Sequence, residues 1–224
     1  KINPTSVYMT FDGEGSTTNR KNLNADYKAG RHLNRITNWD IFENVEEEND
    51  SKIDQITRLI QYLKCLPIKI ISMDKMEADD VIAYSGDILS NEHNSQVFIV
   101  SNDKDFLQLI NDKITVFRPT EKIFYDRKMV MEKFGMLAEN FIHYKILLGD
   151  QSDNIEGIRG LGHKGILKRF PELKERPVSF DELIEISTSK YKEHTIYNKI
   201  ALEETKLKNN FTIMNLAKPL IDDI

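Results

Sequence analysis

The chain has 224 residues, 40% of them hydrophobic, and a formal net charge of −5. These values fit one large domain, or one domain with a smaller appendage, and provide enough apolar residues for a buried core. The single cysteine, Cys65, excludes an internal disulfide framework and favours a reducing compartment such as the cytoplasm. No apolar run approaches the roughly 20 residues that span a bilayer, so we expect no membrane partner. The negative charge argues against a general nucleic-acid binder, which is usually basic.

Short apolar segments alternate with helical periodicities in the first half of the chain. Strands are predicted at residues 6–11, 68–72, 96–101 and 113–117. A helix is predicted at residues 52–66, because apolar residues recur there at helical spacing and Pro67 follows. Strands that alternate with helices predict an α/β fold with a mostly parallel sheet.

The second half of the chain has a helical pattern. Residues 138–150, "AENFIHYKILLGD", are predicted as one helix, and a glycine-rich turn follows. "HKGILKRF" then begins another helix, and residues 180–187 and 191–208 are also predicted to be helical. We therefore divide the chain into an α/β core of residues 1–128 and a helical region of residues 129–224.

Acidic residues follow the predicted strands at the points where the strands end. The carboxyl ends of parallel strands meet at one edge of a sheet, where such folds place their sites. Two further acids, in the 138–153 segment, can close the group from the side. The acids expected at this edge are Asp12, Glu77, Asp79, Asp80, Asp103, Asp105, Asp150 and Asp153.

Helix capping explains each acidic motif taken alone, since Asp and Glu favour N-caps and first turns. Capping does not explain a cluster of eight, because like charges within about 4–6 Å destabilise each other unless a cation offsets them. Oxygen ligands favour Mg²⁺ or Mn²⁺ over zinc, and the five histidines are scattered along the chain. Two such ions would suit phosphodiester hydrolysis and would bring the formal charge to about −1.

The stretch "GDQSDNIEGIRGLGHKG", residues 149–165, places two of these acids directly before the glycine-rich turn. Its glycines permit a tight turn between helices with exposed backbone N–H groups, which suits a nucleic-acid phosphate. An ordinary turn between two helices explains the glycine spacing equally well. The turn and its basic neighbours comprise Gly157, Gly160, Gly162, Lys164, Gly165, Lys168 and Arg169.

"LLGDQSDNIEGIRGLGHKG" closely resembles the signature of the 5′ nuclease family. That family contains the 5′→3′ exonuclease domains of bacterial DNA polymerases, the phage 5′ exonucleases and RNases H, and the flap endonucleases. "MEADDVIAY" and "SNDKDFLQL" are similar to the family's other two acidic motifs, in the same order. "FDGEGSTTNR" and the following "ADYKAGR" resemble an earlier family segment. The resemblance covers residues 7–170 and is nearest to the phage RNase H type.

The resemblance implies a PIN-like, mostly parallel sheet flanked by helices, with a helical arch and a C-terminal helical region that contains a helix–hairpin–helix turn. It also implies two metal ions. The first would be held by Asp12, Glu77 and Asp79, and the second by Asp103, Asp105 and Asp153. Asp80 and Asp150 match auxiliary acids that act through water.

The resemblance further implies contacts with DNA. Lys28 and Arg31 match catalytic basic residues at the foot of the arch, which contact the scissile phosphate, and Arg35 is expected to bind DNA nearby. Tyr27 matches an aromatic position that stacks on the terminal base. Residues 157–165 match the helix–hairpin–helix element that grips the duplex backbone, often with bound K⁺.

Together these features predict a monomeric Mg²⁺-dependent 5′→3′ nuclease. Its expected substrates are 5′ flaps, nicks, primer–template duplexes and RNA–DNA hybrids. Primer removal in replication, beside a polymerase or a single-strand-binding protein in a bacterial or phage-infected cell, would be its role. Two alternatives are a single-stranded ribonuclease of the related PIN-like fold and a catalytically silent DNA-binding module.

Two departures from the family pattern stand out in the sequence. Family members begin with an earlier strand that carries a metal-binding Asp, and this sequence starts beyond that position. An upstream segment would supply that ligand, whereas a fragment would lack it. The arch region, which is basic in most members, carries the acidic run "ENVEEEND" at residues 43–50.

Overall fold

The structure is a computed structural model that describes residues 2–29 and 37–220. The α/β region contains β1 (Tyr8–Asp12), α1 (Thr18–Leu23), α2 (Val45–Leu63), β2 (Lys69–Met73), α3 (Ala78–Asn91), β3 (Val97–Val100), a 3-10 turn (Asp105–Leu109), β4 (Ile114–Arg118) and β5 (Ile123–Tyr125). The helical region contains α4 (Arg127–Phe134), a second 3-10 turn (Ala138–Asn140), α5 (Phe141–Leu148), β6 (Gly149–Asp150), β7 (Ile155–Glu156), α6 (His163–Arg169), α7 (Glu172–Glu175), α8 (Phe180–Ser189), α9 (Thr195–Leu202) and α10 (Glu204–Met214).

The four predicted strands are confirmed, with their ends displaced by one or two residues. They form two hydrogen-bonded ladders. In one, β1 and β2 run parallel, with Asp12 opposite Met73; in the other, β3 and β4 run parallel, with Val97 opposite Ile114. The unpredicted β5 is antiparallel to β4; its three residues are too few to show a strand periodicity. Helix α3 packs against β1, β2 and β3 and so joins the two ladders.

Helix α2 begins seven residues earlier than predicted, at Val45. Asn44 caps it by accepting a hydrogen bond from the Glu47 backbone N–H at 2.8 Å, and the acidic run forms its first turn. Acidic side chains are stabilising there because they face the positive end of the helix dipole. The acidic run therefore has a local structural role. The apolar residues that predicted this helix are not all buried, since Ile53 and Ile56 are 61% and 51% exposed.

The hydrophobic core lies mainly in the helical region. Helix α5 is at its centre, and Phe141, Ile146 and Leu147 are fully buried there. A helix that is apolar around its circumference must be surrounded by other elements, and α5 packs against α10, α6 and the first 3-10 turn. No helix in residues 2–29 and 37–220 has both the length and the apolar character required to cross a bilayer.

The predicted helix at residues 138–150 is interrupted at both ends. It starts as the second 3-10 turn, and α5 ends before Gly149, which has φ +79°. Glycine adopts this conformation without strain, and the chain then enters the short β6–β7 hairpin. The predicted helix at 191–208 is likewise two helices, α9 and α10, which are separated at Glu203. Helix α9 begins after His194, whose ring accepts a hydrogen bond from the Ile196 N–H.

Candidate active site

A pocket lies where the segment after α1, the start of α3, the segment after β3 and the end of α10 meet. Five of the eight predicted acids line it: Glu77, Asp79, Asp103, Asp105 and Asp153. The other lining residues are Arg20, Tyr27, Lys28, Ile155, Ile213, Met214 and Leu216. Carboxylates that are widely separated in the sequence therefore share one cavity, as the strand-end pattern predicted.

Glu77 is 2% exposed and is held by three neighbours. The Tyr27 hydroxyl donates a hydrogen bond to Oε2 at 3.1 Å, and Lys28 Nζ donates to Oε1 at 2.8 Å. Arg20 Nη1 lies 3.3 Å from Oε2. A buried carboxylate is tolerated when it is paired and hydrogen-bonded in this way, so both oxygens of Glu77 are fixed in direction.

Arg20 was not predicted as a site residue, and its contacts change the role assigned to Asp80. Its guanidinium donates to both oxygens of Asp80, at 2.5 and 2.8 Å, and both side chains are buried. Asp80 does not line the pocket, so its placement does not support the predicted water-mediated metal role. The pair instead anchors α1 to α3. The sequence showed only a basic residue in a polar segment, and burial is decided by tertiary contacts.

Asp79 and Asp105 have pKa values above the ordinary carboxyl range. Burial, followed by the charges of Asp103 and Glu77, raises the pKa of Asp79 to about 7. Burial also raises the pKa of Asp105 to about 6, against the opposing effect of the Lys145 ammonium. Shifts of this kind mark carboxylates whose charged forms need a further cation for stabilisation.

Lys145, on α5, lies between two of the predicted acids. Its Nζ is 2.6 Å from Asp105 Oδ1 and 2.7 Å from Asp150 Oδ2. Although burial opposes it, hydrogen bonding from Lys145 and Ser152 lowers the pKa of Asp150 to about 2. Asp150 is thus a charged partner of Lys145 beside the pocket and is not one of its lining residues.

Asp12 is also outside the pocket lining. It is exposed, and its Oδ1 accepts a hydrogen bond from the Ala78 backbone N–H at 2.7 Å, in the first turn of α3. Asp12 therefore caps the N-terminus of α3, and helix capping was the alternative explanation for each acidic motif in the sequence.

The segment that carries Tyr27 and Lys28 is pinned to the loop after α5. The Lys28 N–H donates to the Asp153 carbonyl at 2.9 Å, and the Asn154 amide donates to the Asp26 carbonyl at 3.0 Å. Lys28 has φ 54°, a conformation that costs energy for a residue other than glycine. The predicted stacking of Tyr27 on a base is contradicted by its 3% exposure.

Some predicted DNA-binding residues can be placed and others cannot. Arg31 and Arg35 lie outside the described residues. In the glycine-rich turn, Gly160 has φ +89°, and Gly160 and Gly162 are exposed. Exposed Lys164 and Lys168 and partly buried Gly165 lie beside them on α6. Gly157 differs, because a Cβ there would lie 2.2 Å from the Leu148 carbonyl carbon, so it serves close backbone packing.

The pocket provides oxygen donors of the kind that Mg²⁺ and Mn²⁺ prefer. In the part of the chain that the structure describes, no three His, Cys, Asp or Glu side chains are arranged closely enough to hold an ion as they stand. Two of the acids instead pair with cationic side chains, Glu77 with Arg20 and Lys28, and Asp105 with Lys145. The donor chemistry and the raised pKa values fit a divalent cation, and ligation would require side-chain rotation away from these ion pairs.

A family model for the 5′-3′ exonuclease N-terminal resolvase-like domain matches residues 1–135. The chain is 31% identical to DNA polymerase I of Borreliella burgdorferi, over 98% of this chain and 24% of that protein. It is 29% identical to a 5′-3′ exonuclease of Aquifex aeolicus, over 100% of this chain and 76% of that protein. It thus spans about a quarter of the polymerase and three quarters of the exonuclease.

The phage T5 D15 protein, co-crystallised with metal ions, has the same fold with a TM-score of 0.77 and 20% sequence identity. The match covers 95% of this chain and 75% of that one. T5 D15 has also been solved as a flap endonuclease in a complex with DNA and metal ions. The predicted α/β fold with a PIN-like domain is therefore confirmed. With the family model matching more than half of its length, the chain belongs to the 5′-3′ exonuclease family.

Proposed function

We propose that this chain is a divalent-metal-dependent, structure-selective nuclease that hydrolyses phosphodiester bonds at 5′ ends, flaps or RNA primers on duplex DNA. The pocket lined by Glu77, Asp79, Asp103, Asp105 and Asp153 is the observation that carries this proposal. Capping does not account for these five acids, because they line one pocket and two of them have raised pKa values. Residues 1–128 would form the catalytic core and residues 129–224 the main duplex-binding region.

Two Mg²⁺ ions, for which Mn²⁺ may be substituted experimentally, are the cofactors that this donor set would hold. Bound there, such ions supply an activated water and neutralise charge on the phosphoryl oxygens. Glu77, Asp79, Asp103, Asp105 and Asp153 are the residues that would hold them. Family membership and the metal ions in the T5 D15 crystal support this assignment.

Lys28 is the residue best placed to meet the substrate phosphate. Its ammonium lies at the pocket beside Glu77, and the side chain is 15% exposed. The backbone bond to Asp153 holds it there in a strained conformation, so its position is determined before substrate binds. A cation in this position would attract the phosphate and orient it towards the carboxylates. Arg31 would act beside it.

The glycine-rich turn would bind the duplex at a distance from the pocket. Exposed Lys164 and Lys168 offer two positive charges next to the exposed backbone of Gly160 and Gly162. Contacts of this type go to phosphates and fix the register of a protein on DNA without reading its sequence. This helix–hairpin–helix turn would also bind a K⁺ ion. Binding of DNA by this chain is proposed by analogy with the DNA complex of T5 D15.

A role in replication is part of the proposal. The match to a DNA polymerase I supports primer removal next to a polymerase. We propose the cytoplasm of a bacterial or phage-infected cell as the location. A single-strand-binding protein is a second proposed partner. RNA–DNA hybrids and nicked duplexes are further proposed substrates.

The proposal is tested with a duplex that carries a labelled 5′ flap, incubated with Mg²⁺ or with a chelator. We expect cleavage only with Mg²⁺, and product sizes separate removal of single nucleotides from release of the whole flap. Asp103→Asn should abolish cleavage because it removes a negatively charged metal ligand from the pocket. Asp112→Asn is the matched control, since the Asp112 side chain is 85% exposed and pairs with Arg127.

Three results would contradict the proposal. Cleavage that persists in the chelator would remove the metal requirement. Duplex binding without cleavage would favour a silent DNA-binding module. Cleavage of single-stranded RNA with the flap left intact would favour a ribonuclease of the PIN-like type.

A further inference from the structure

The C-terminal end of helix α10 forms part of the pocket wall, through Ile213, Met214 and Leu216. The last carbonyl groups of any helix lack partners within the helix and must find them elsewhere. Here the Ile213 carbonyl accepts a hydrogen bond from Arg20 Nε at 3.0 Å. The Met214 carbonyl accepts one from Gln108 Nε2 at 3.1 Å. Two buried side chains from the α/β region therefore provide hydrogen-bond donors for the last carbonyl groups of this helix.

Gln108 binds this helix end with both halves of its amide. Besides the bond from Nε2 to Met214, its Oε1 accepts a hydrogen bond from the Leu216 N–H at 3.0 Å. The same Nε2 group donates to the carbonyl of Asp105 at 2.9 Å. Glutamine suits this position because a neutral amide supplies donors and an acceptor together. At 8% exposure, water does not readily replace these bonds.

These contacts form a continuous hydrogen-bonded connection across the pocket. At one end, Arg20 binds Asp80 and lies beside Glu77. At the other end, Gln108 binds the backbone of Asp105. The residues between them, 213–216, are the end of α10 and the two residues after it, a region that carried no chemical signature in the sequence. The connection thus joins the two groups of carboxylates through a third element.

We propose that Gln108 is a positioning residue, which acts through residues 213–216 and Arg20 to hold Asp105 at a fixed place relative to Glu77. This inference rests on the proposed function and deepens it, because the separation of the two carboxylate groups determines how well they hold cations together. Gln108 does not line the pocket and acts only through these neighbours.

The test compares Gln108→Met with a control that loses equivalent bonds elsewhere. Methionine keeps the length of the side chain and removes the donor and the acceptor. The control is Asn140→Leu. Asn140 is fully buried, donates to the Leu173 and Arg176 carbonyls at 2.8 and 2.7 Å, and accepts from the Val178 N–H. Both variants remove a buried amide that clamps a backbone segment, but only one of them does so at the pocket.

Hydrogen–deuterium exchange of backbone amides is measured first, because it requires neither metal nor substrate. In Gln108→Met we expect faster exchange at residues 213–216 and also at residues 78–82, on the far side of Arg20. In Asn140→Leu the increase should be confined to the segments around residues 140 and 173–178. Exchange that increases only near Gln108, with residues 78–82 unchanged, would overturn the inference.

Mn²⁺ titration by calorimetry is measured second, and single-turnover flap cleavage third. We expect Gln108→Met to weaken Mn²⁺ binding by about 10-fold, the lower end of the effect of losing a residue that orients a metal ligand, because Gln108 acts on Asp105 through its backbone. Cleavage should slow at saturating DNA with little change in DNA affinity, and Asn140→Leu should match the wild type in both. Equal Mn²⁺ affinity in Gln108→Met and wild type would overturn the inference.

Gln108→Asn serves if the methionine variant does not fold, because asparagine keeps a neutral amide on a side chain too short to reach all three partners. We expect faster exchange at the same residues as in Gln108→Met, with a smaller increase at residues 213–216. Unchanged exchange at residues 78–82 would again contradict the inference. A failure of the proposed function would be seen in the wild type itself, as absent Mn²⁺ binding or absent cleavage. The exchange experiment would still decide the inference in that case.

Discussion

The first 73 residues and residues 97–216 contribute to the molecule in different ways. In the first segment, apolar side chains such as Tyr8, Ile53 and Ile56 are 38–61% exposed, although they lie on a strand and on an amphipathic helix. In the second, Phe141 and Leu147 are fully buried in one continuous core. The stability of the described chain therefore comes mainly from the second segment.

The difference shows how the pocket is held together. The first segment supplies Arg20, Tyr27 and Lys28 to the pocket, yet it reaches the core through few residues, among them buried Tyr27. Its basic and aromatic side chains are fixed instead by polar contacts to the other part, from Arg20 to the Ile213 carbonyl and from the Lys28 N–H to the Asp153 carbonyl. Hydrogen bonds and ion pairs, more than apolar packing, align the site.

The largest expected effect tests whether the helical region supplies chemistry as well as stability. Asp153→Asn should lower cleavage by more than the roughly 100-fold that loss of an outer-shell partner costs, while leaving much of the DNA binding intact. Cleavage rate and duplex affinity are measured on the same flap substrate. Asp54→Asn, at an exposed position on α2, is the control. Full turnover by Asp153→Asn in Mg²⁺ would restrict the chemistry to the acids of residues 77–105.

The next largest effect concerns the difference in packing between the buried core and the exposed face of α2. Phe141→Ala should lower the free energy of unfolding by about 3–5 kcal/mol, because the side chain is fully buried. Ile56→Ala should change it by less than about 0.5 kcal/mol, as for other surface positions. Urea denaturation of both variants provides the comparison. Similar losses in the two variants would show that the apolar face of α2 is buried in solution.

A smaller effect is expected from pH, through His143 in the helical core. Burial lowers the pKa of His143 from 6.5, although its 2.6 Å hydrogen bond to the Val178 carbonyl opposes the shift. The unfolded chain then binds a proton more readily than the folded one. Stability present above pH 6.5 is therefore lost as the pH falls below it, by at most about 1.4 kcal/mol per unit.

Denaturant unfolding between pH 7.5 and 5 checks this expectation. The stability of the wild type relative to His143→Gln should decrease as the pH falls from 7.5 to 5, because only the wild type has the buried imidazole. Asp79 and Asp105, whose raised pKa values give the opposite pH dependence, are common to both proteins. His93→Gln, at an exposed position, should keep the wild-type dependence. An unchanged slope in the His143 variant would assign the pH dependence to other groups.

The smallest expected effect concerns the exposed turn. Lys164→Ala should weaken duplex binding by a similar factor for every sequence and reduce the salt slope by about 1, because one phosphate contact is lost. Lys128→Ala, at a lysine whose side chain is 84% exposed on α4, should leave the slope unchanged. Equal slopes for the wild type and Lys164→Ala would remove the role proposed for the turn.

Much of the fold was predictable from local patterns. Strand 96–101 and helix 163–170 were each predicted from the spacing of apolar residues and from a glycine or an acid at one end. Such elements are predictable because the conformational preferences of neighbouring residues determine them. The acidic motifs were also predictable, since an acid that follows a parallel strand reaches the same sheet edge as its counterparts. The exposure of Ile53 and Ile56 was not predictable, because an apolar face indicates a helix without indicating what covers it.

The sequence by itself determined the order of the elements, the three acidic motifs, the glycine-rich turn and the family. The tertiary structure alone decided which acids share the pocket, that Asp12 caps α3 and that Asp80 pairs with Arg20. It also decided that Lys145 pairs with Asp105 and that Gln108 binds the end of α10. The physical reason is that charge pairing and burial depend on distances between residues up to 193 positions apart in the chain, and local periodicity carries no information about such distances.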